Sequence, residues 1–310
     1  MQPQDTAFIF PGQGSQSLGM GTELANTYPL ACQVFDEADD LLGFSLSRLA
    51  WEGPEEDLND TLNTQPALMV HSVAALRVFQ ERFPGFQPAF TAGHSMGELS
   101  ALVACQALSF PEALRLARTR GQTMKQAGSI HPGGMAAILG LDIPALEKIC
   151  ADASQPGDIV QVANDNCPGQ VVISGHIAAL ERALETAQTA GARKTVRLVV
   201  SIAAHSPLMS QAQTGFFQAV EAASLVDPLF PLIGNVTASP LSAAQALRLD
   251  LQNQLTHRVR WTESIQWMIA QGVTTFVEIG SGSVLTSLLK RINREVKGIN
   301  LETPADFEKL

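Results

Sequence analysis

Three residue settings in this chain point to chemistry: a serine on a glycine-flanked turn, a histidine further on, and an arginine on an apolar helix face. The serine lies in Gly93-His94-Ser95-Met96-Gly97, which follows a predicted strand and opens a predicted helix, the setting of a nucleophile elbow. The two glycines permit a tight turn that lifts Ser95 Oγ clear of the backbone. The Met96 N–H, at the positive end of the helix, then points toward an incoming carbonyl oxygen. Chance occurrence of so short a pattern is the alternative, and the strand before and helix after weigh against it.

A serine nucleophile needs a base. The histidines are His71, His94, His131, His176, His205 and His257. His94 adjoins Ser95 and projects away from it, His71 falls inside a helix, and His131 and His176 fall at loops of an inserted segment. His205 follows the predicted strand Lys194–Val200, where a loop of the main sheet reaches over the elbow. It also follows the serine in chain order, as the base does in α/β hydrolases. A loop histidine satisfied by water is the other reading.

On the predicted helix 111–126, Ser109 and Glu112 form a capping box with Pro111 in the first turn. At ~100° per residue, Leu116, Ala113, Met124, Ala117, Gly121 and Leu114 share one arc, opposite Arg115, Arg118 and Lys125. Arg120 falls inside the apolar arc. A guanidinium facing the interior is costly without an anion. Two readings stand side by side: an ion pair with a structural Asp or Glu (or an outward-snorkelling side chain), or a fork for a substrate carboxylate.

Phe10-Pro11-Gly12-Gln13-Gly14-Ser15-Gln16 follows the first predicted strand, where α/β sheets bind ligands. Met20 stands after Gly19 where a phosphate loop needs Lys, so that reading fails. Gln13 on this turn suits presentation of a backbone N–H to an oxyanion. Gly280-Ser281-Gly282 reads as simple strand-to-helix packing.

The elements that must carry these residues follow from pattern. Strands are expected at Thr6–Phe10, Phe86–Ala92 and Thr275–Ile279, with helices at Leu62–Phe83 and Gly97–Leu108. Alternation of this kind implies a mainly parallel, covered sheet. Between them come strand Met135–Leu139, helix Ile143–Ala153, strands Asp158–Ala163 and Gln170–Ser174 about the turn Asn166–Gly169, helix Ala178–Thr189 and strand Lys194–Val200. That β-α-β-β-α-β order is the ferredoxin-like pattern. The expected division is a large subdomain over 1–130, a small one over 131–200, and the large one resuming over 201–310.

At 310 residues, 45% hydrophobic and 16% charged, the chain has ample material for a core. Its net charge of −10 argues against nucleic acid as a partner. Cys32, Cys105, Cys150 and Cys167 are scattered, which suggests neither a disulfide framework nor a metal site. No signal peptide pattern or membrane-length apolar run is read, so a cytoplasmic, reduced protein is expected.

Taken together, the motifs closely resemble the malonyl-CoA:acyl-carrier-protein transacylase family, which includes acyltransferase domains of fatty-acid and polyketide synthases. The matching segments, in order, are Phe10–Gln16, Thr64–Ala67, Gly93–Glu98, Arg120-Gly121, Asn164–Asn166, Pro168–Val171, His205–Met209, Gly234-Asn235 and Val259–Trp261. The resemblance implies an α/β-hydrolase-like core with an inserted ferredoxin-like subdomain. It implies that Ser95 is acylated, that His205 is its base, and that a backbone carbonyl, here of Arg260, orients the histidine in place of an acid. Gln13 and Met96 would supply the oxyanion N–H groups, and Arg120 would hold the malonyl carboxylate. Gln65, Asn164, Asn166 and Asn235 would line the substrate and pantetheine channel. Malonyl-CoA and an acyl carrier protein bearing phosphopantetheine are the implied substrates and partner, with no metal or dissociable cofactor. Ile202-Ala203-Ala204 before His205, and Met96 beside the serine, depart from common family patterns and leave room for a branched malonyl group. A serine hydrolase on the same scaffold is the competing reading. A third is a binding module for acidic carrier proteins, using Lys290, Arg291, Arg294 and Lys297 with Arg193, Lys194 and Arg197.

Overall fold

The structure, a computed structural model, describes residues 1–199 and 202–310. In chain order the strands are β1 (Thr6–Phe10), β2 (Phe90–Gly93), β3 (Gly133–Leu139), β4 (Val160–Cys167), β5 (Gln170–His176), β6 (Lys194–Arg197), β7 (Leu232–Ile233), β8 (Pro240–Leu241), β9 (Thr275–Ile279) and β10 (Lys297–Leu301). One sheet has six strands in the order β10-β9-β1-β2-β7-β8, parallel except for the β7–β8 pair. The other has four antiparallel strands in the order β4-β5-β3-β6.

All of β1 is buried because the parallel sheet is covered on both faces. Phe8 and Phe10 enter a core shared with Leu68 and Phe79 of the Thr61–Arg82 helix, whereas Ala7 and Ile9 face Ile265 and Met268 of the Trp261–Ala270 helix. The alternation is that of any strand, whose successive side chains point to opposite faces. In the smaller sheet, helices Ile143–Ala153 and Ile177–Thr189 cover one face with Leu146, Ile149, Leu180 and Ala183.

Differences from the expected elements have local causes. The strand expected from Phe86 begins at Phe90, because the Phe86 ring packs against Phe8 and Phe79 and Pro88 has no N–H to offer a sheet. The helix expected to reach Leu108 ends at Ala104, and Gln106 sits in the left-handed region at φ 59°. The strand expected to end at Ala163 runs on through Asn164-Asp165-Asn166 to Cys167. Those residues are poor strand formers, but Val259 holds their backbone: Asp165 N–H donates to its carbonyl at 2.9 Å, and its N–H to Ala163 at 2.9 Å. This contact ties the smaller sheet to the segment that precedes the Trp261–Ala270 helix. The expected strand to Val200 extends only over Lys194–Arg197; Val200 itself, and the resumption point at Ser201, lie outside the described residues. Among the described residues, no helix is long and apolar enough to cross a membrane.

Candidate active site

Phe10 pairs with Gly93 at the carboxyl ends of the neighbouring parallel strands β1 and β2, so the turns that follow them lie side by side. They fit that closely only because Gly97 has no side chain: a Cβ there would stand 2.3 Å from the Phe10 carbonyl oxygen. Ser95 occupies the turn at φ 53°, a left-handed conformation unusual for a residue with a Cβ. Asn235 holds it there. Its Oδ1 accepts from Ser95 N–H at 2.7 Å, and its Nδ2 donates to the Gly93 carbonyl at 2.7 Å.

His205 Nε2 is 2.8 Å from Ser95 Oγ. Its Nδ1 faces two carbonyl oxygens, Gln254 at 2.9 Å and His257 at 3.1 Å. Two acceptors there assign the ring proton to Nδ1 and leave Nε2 free to accept from the serine. Among the described residues no carboxylate takes part. The histidine is buried and, like Ser95, has positive φ, at 57°. Gln161 of β4 fastens the loop by donating to the carbonyls of His205 (2.8 Å) and Thr256 (3.2 Å). Burial first, and then the neighbouring Arg120 charge, push the imidazole down to about 3.

Arg120 lies in the Phe110–Ile130 helix and is 2% exposed. That helix lies close against the start of the Thr61–Arg82 helix, since a Cβ on Gly121 would sit 2.7 Å from the Thr61 carbonyl oxygen. Arg120 Nη1 donates to Gln65 Oε1 (2.8 Å), Nε and Nη2 to Gln254 Oε1 (3.2 and 2.8 Å), and Nη2 to Ser95 Oγ (2.9 Å). Of the two sequence readings, the structural ion pair fails: among the described residues no Asp or Glu forms a salt bridge with this guanidinium. Burial lowers Arg120 to about 10, so it stays charged at neutral pH.

Gln65 links the fork to the first turn. Its Nε2 donates to Thr61 Oγ1 (2.9 Å), which donates to Gln13 Oε1 (2.9 Å). Among the described residues, neither the Gln13 nor the Met96 N–H has a protein acceptor. A cleft of about 290 Å³ opens beside Gln13, lined also by Thr61, Lys125 and Ile202. It adjoins a larger one of about 620 Å³ that reaches Ile177 and Arg197, the two sharing Gly128, Ser129 and Val199.

Some sequence-derived roles need correction. The Arg260 carbonyl does not meet the histidine. It accepts from Ser264 N–H and Oγ as the first bond of the Trp261–Ala270 helix, and Gln254 and His257 take its expected place. Asn235 spends its amide on the elbow backbone rather than on a channel. Asn166 bonds His94 Nε2 at 2.8 Å, and Asn164 forms a backbone bridge to Val259; neither lines the clefts. The sequence reading passed over Gln254 and Asp250 and, though it quoted Glu98 within a motif, gave it no role. The available signal was spacing: Asp250 and Gln254 lie at i and i+4 among Leu247 and Leu251, the same oddity that singled out Arg120.

A family model described as the acyl transferase domain matches residues 7–305. The chain is 46% identical over 302 residues to the malonyl CoA-acyl carrier protein transacylase of Bacillus subtilis (strain 168), covering 97% of this chain and 95% of that protein. It is similar to the crystal structure of an acyl-carrier-protein-S-malonyltransferase from Bartonella henselae, with TM-score 0.95, 43% identity, and coverage of 98% and 97%. A malonyl-transacylase in complex with a type II PKS acyl-carrier protein also matches, with TM-score 0.95, 42% identity and 98% coverage of both chains.

Proposed function

The chain belongs to the acyl transferase domain family, and on that premise we propose that it carries a malonyl group from coenzyme A to the phosphopantetheine thiol of an acyl carrier protein through an ester on Ser95. One observation carries the malonyl part of this reading: a buried arginine with no acidic salt-bridge partner among the described residues, whose Nη2 reaches the serine oxygen. A fork so placed suits an acyl group that ends in a carboxylate.

The reaction runs in two halves. His205 Nε2 takes the Ser95 proton as Oγ attacks the thioester carbon, and the oxyanion forms between the Gln13 and Met96 N–H groups. The carbon–sulfur bond then breaks, and His205 returns the proton to the departing CoA sulfur. In the second half the carrier's thiol gives its proton to His205 and attacks the ester, and Ser95 leaves with that proton. Imidazole held neutral by burial can accept at the start of each half. The carbonyls of Gln254 and His257 orient it and stabilise the positive charge as imidazolium forms. The clefts beside Gln13 offer a route for the pantetheine arm of either thioester.

The same reading covers architecture and partner. The strand order β4-β5-β3-β6, with its two helices, supports a ferredoxin-like subdomain over 131–200 inserted in an α/β-hydrolase-like core over 1–130 and 201–310. The free cysteines suit a reducing cytoplasm. Docking of an acidic carrier draws support from the way two basic clusters join. Arg193 N–H donates to Leu139 (2.7 Å), Gly140 N–H to Gly169 (3.0 Å), and Arg291 Nη2 to the Pro168 carbonyl (3.2 Å).

Intact-protein mass spectrometry after mixing with malonyl-CoA tests the proposal. A malonyl adduct on Ser95 that moves to holo-carrier protein is expected. Rapid CoA release with no adduct and no transfer would instead identify a hydrolase.

A further inference from the structure

Beneath the site lies a polar chain that the acyl-transfer steps leave unused. Asp250 and Gln254 stand one turn apart on the Ala244–Gln254 helix and are both buried. They meet Glu98, which is 1% exposed in the first turn of the Gly97–Ala104 helix. The Gln254 amide is fully used: Oε1 accepts twice from Arg120, while Nε2 donates to the Ser95 carbonyl (3.1 Å) and to Glu98 Oε2.

An amide is nearly symmetric in shape, so its surroundings decide which end faces which neighbour. Turned over, Gln254 would aim N–H groups at a guanidinium that has only donors. Glu98 Oε2 and the Ser95 carbonyl both favour the orientation with oxygen toward Arg120. We propose that Glu98 is a positioning residue for the Arg120 fork, acting through the Gln254 amide; this rests on the acyl-transfer reading above.

Glu98 also hydrogen-bonds Asp250, and two buried carboxyls in contact do not both ionise. Asp250 accepts from the N–H groups of Asn235 (3.1 Å) and Val236 (3.3 Å) and from Thr237 Oγ1 (3.4 Å), so the negative charge belongs there and the proton on Glu98. Burial, and then the charge of Asp250, hold Glu98 well above the usual carboxylate range. A neutral Glu98 orients the fork without cancelling its charge.

Glu98→Gln tests this directly, because its oxygen can accept from Gln254 while its NH₂ donates to Asp250. This variant is expected to transfer malonyl and acetyl groups from CoA to holo-carrier protein at close to wild-type rates. Glu98→Ala removes the acceptor, and malonyl transfer is expected to fall about 5- to 150-fold, mainly through KM. Acetyl transfer, which does not engage the fork, falls less. Glu98→Met replaces the alanine variant if the latter does not fold. A large loss in the glutamine variant, or equal loss of both acyl groups in the alanine or methionine variant, overturns the proposal. Wild-type protein that forms no malonyl-Ser95 adduct would overturn the acyl-transfer reading instead, whatever the Glu98 variants do.

Discussion

Arg120 Nη2 lies 2.9 Å from Ser95 Oγ, so the charge that would grip the far end of a malonyl group also touches the atom that would attack its near end. Losing a buried, hydrogen-bonded charge partner typically costs about 2–5 kcal/mol. Arg120→Ala is therefore expected to reduce malonyl transfer by an amount in that range and acetyl transfer by much less. Parallel kinetics with the two CoA esters check this. An unchanged malonyl-to-acetyl ratio would remove the fork from substrate recognition.

The pH response follows from the same neighbourhood. His205 is held at about 3 against an ordinary 6.5, by burial first and by Arg120 second. The imidazole thus stays neutral well into acid, and the acid limb of kcat/KM should lie far below an ordinary histidine's. In Arg120→Ala the larger of the charge effects that lower it is gone, so the limb moves up in pH. Acetyl-CoA is the substrate to use, since it adds no carboxyl titration of its own. For stability the sign is opposite to that of a paired histidine. Between about 6.5 and 3 the unfolded chain binds a proton that the folded one refuses, so this group's contribution makes stability fall as pH falls through that window. Thermal unfolding across the window measures it.

Much of this geometry was legible in the sequence because backbone chemistry leaves marks. Gly93 and Gly97 flank a serine that must take positive φ, and apolar periodicity put Arg120 on an inward face before any partner was known. What stayed hidden depends on tertiary contact. No local rule says that the carbonyl facing His205 belongs to Gln254, 49 residues away, rather than to Arg260. Nor does Asn-Asp-Asn announce a strand, since it is pairing with β5 and the Val259 backbone, nearly a hundred residues on, that extends β4 through it. Asp250 and Gln254 were a missed opportunity of a different kind, because the helical spacing that revealed Arg120 would have revealed them too.

Asn235 provides a test of how much the elbow needs its brace. Asn235→Ala leaves the Ser95 N–H and the Gly93 carbonyl without partners in a buried place. An orphaned group of that kind costs about 1–3 kcal/mol. The variant should melt earlier and form the acyl-serine more slowly. Asn235→Asp keeps an acceptor for Ser95 but offers Gly93 no donor, so it should fall between alanine and wild type in both measurements. If the alanine variant melts earlier but acylates normally, Asn235 supports the fold and not the nucleophile.

The basic surface makes the remaining prediction. Arg193 and Lys194 at the start of β6 are far in sequence from Lys290 and Arg291, yet the Gly140–Gly169 backbone contact brings the segments that carry them together. On a chain of net charge −10, opposite charge there would steer an acidic carrier protein toward the cleft. Reversing either pair to glutamate should raise the carrier's KM by roughly 10-fold or more. Acylation of Ser95 by malonyl-CoA should be unaltered, because neither pair touches the serine, the histidine or the fork. Steering of this kind is screened by salt, so the wild-type advantage over the reversed forms should shrink as ionic strength rises. Reversing both pairs should cost less than the sum of the two, since they act as one surface. A carrier KM that ignores both reversals and the salt would place docking elsewhere on the molecule.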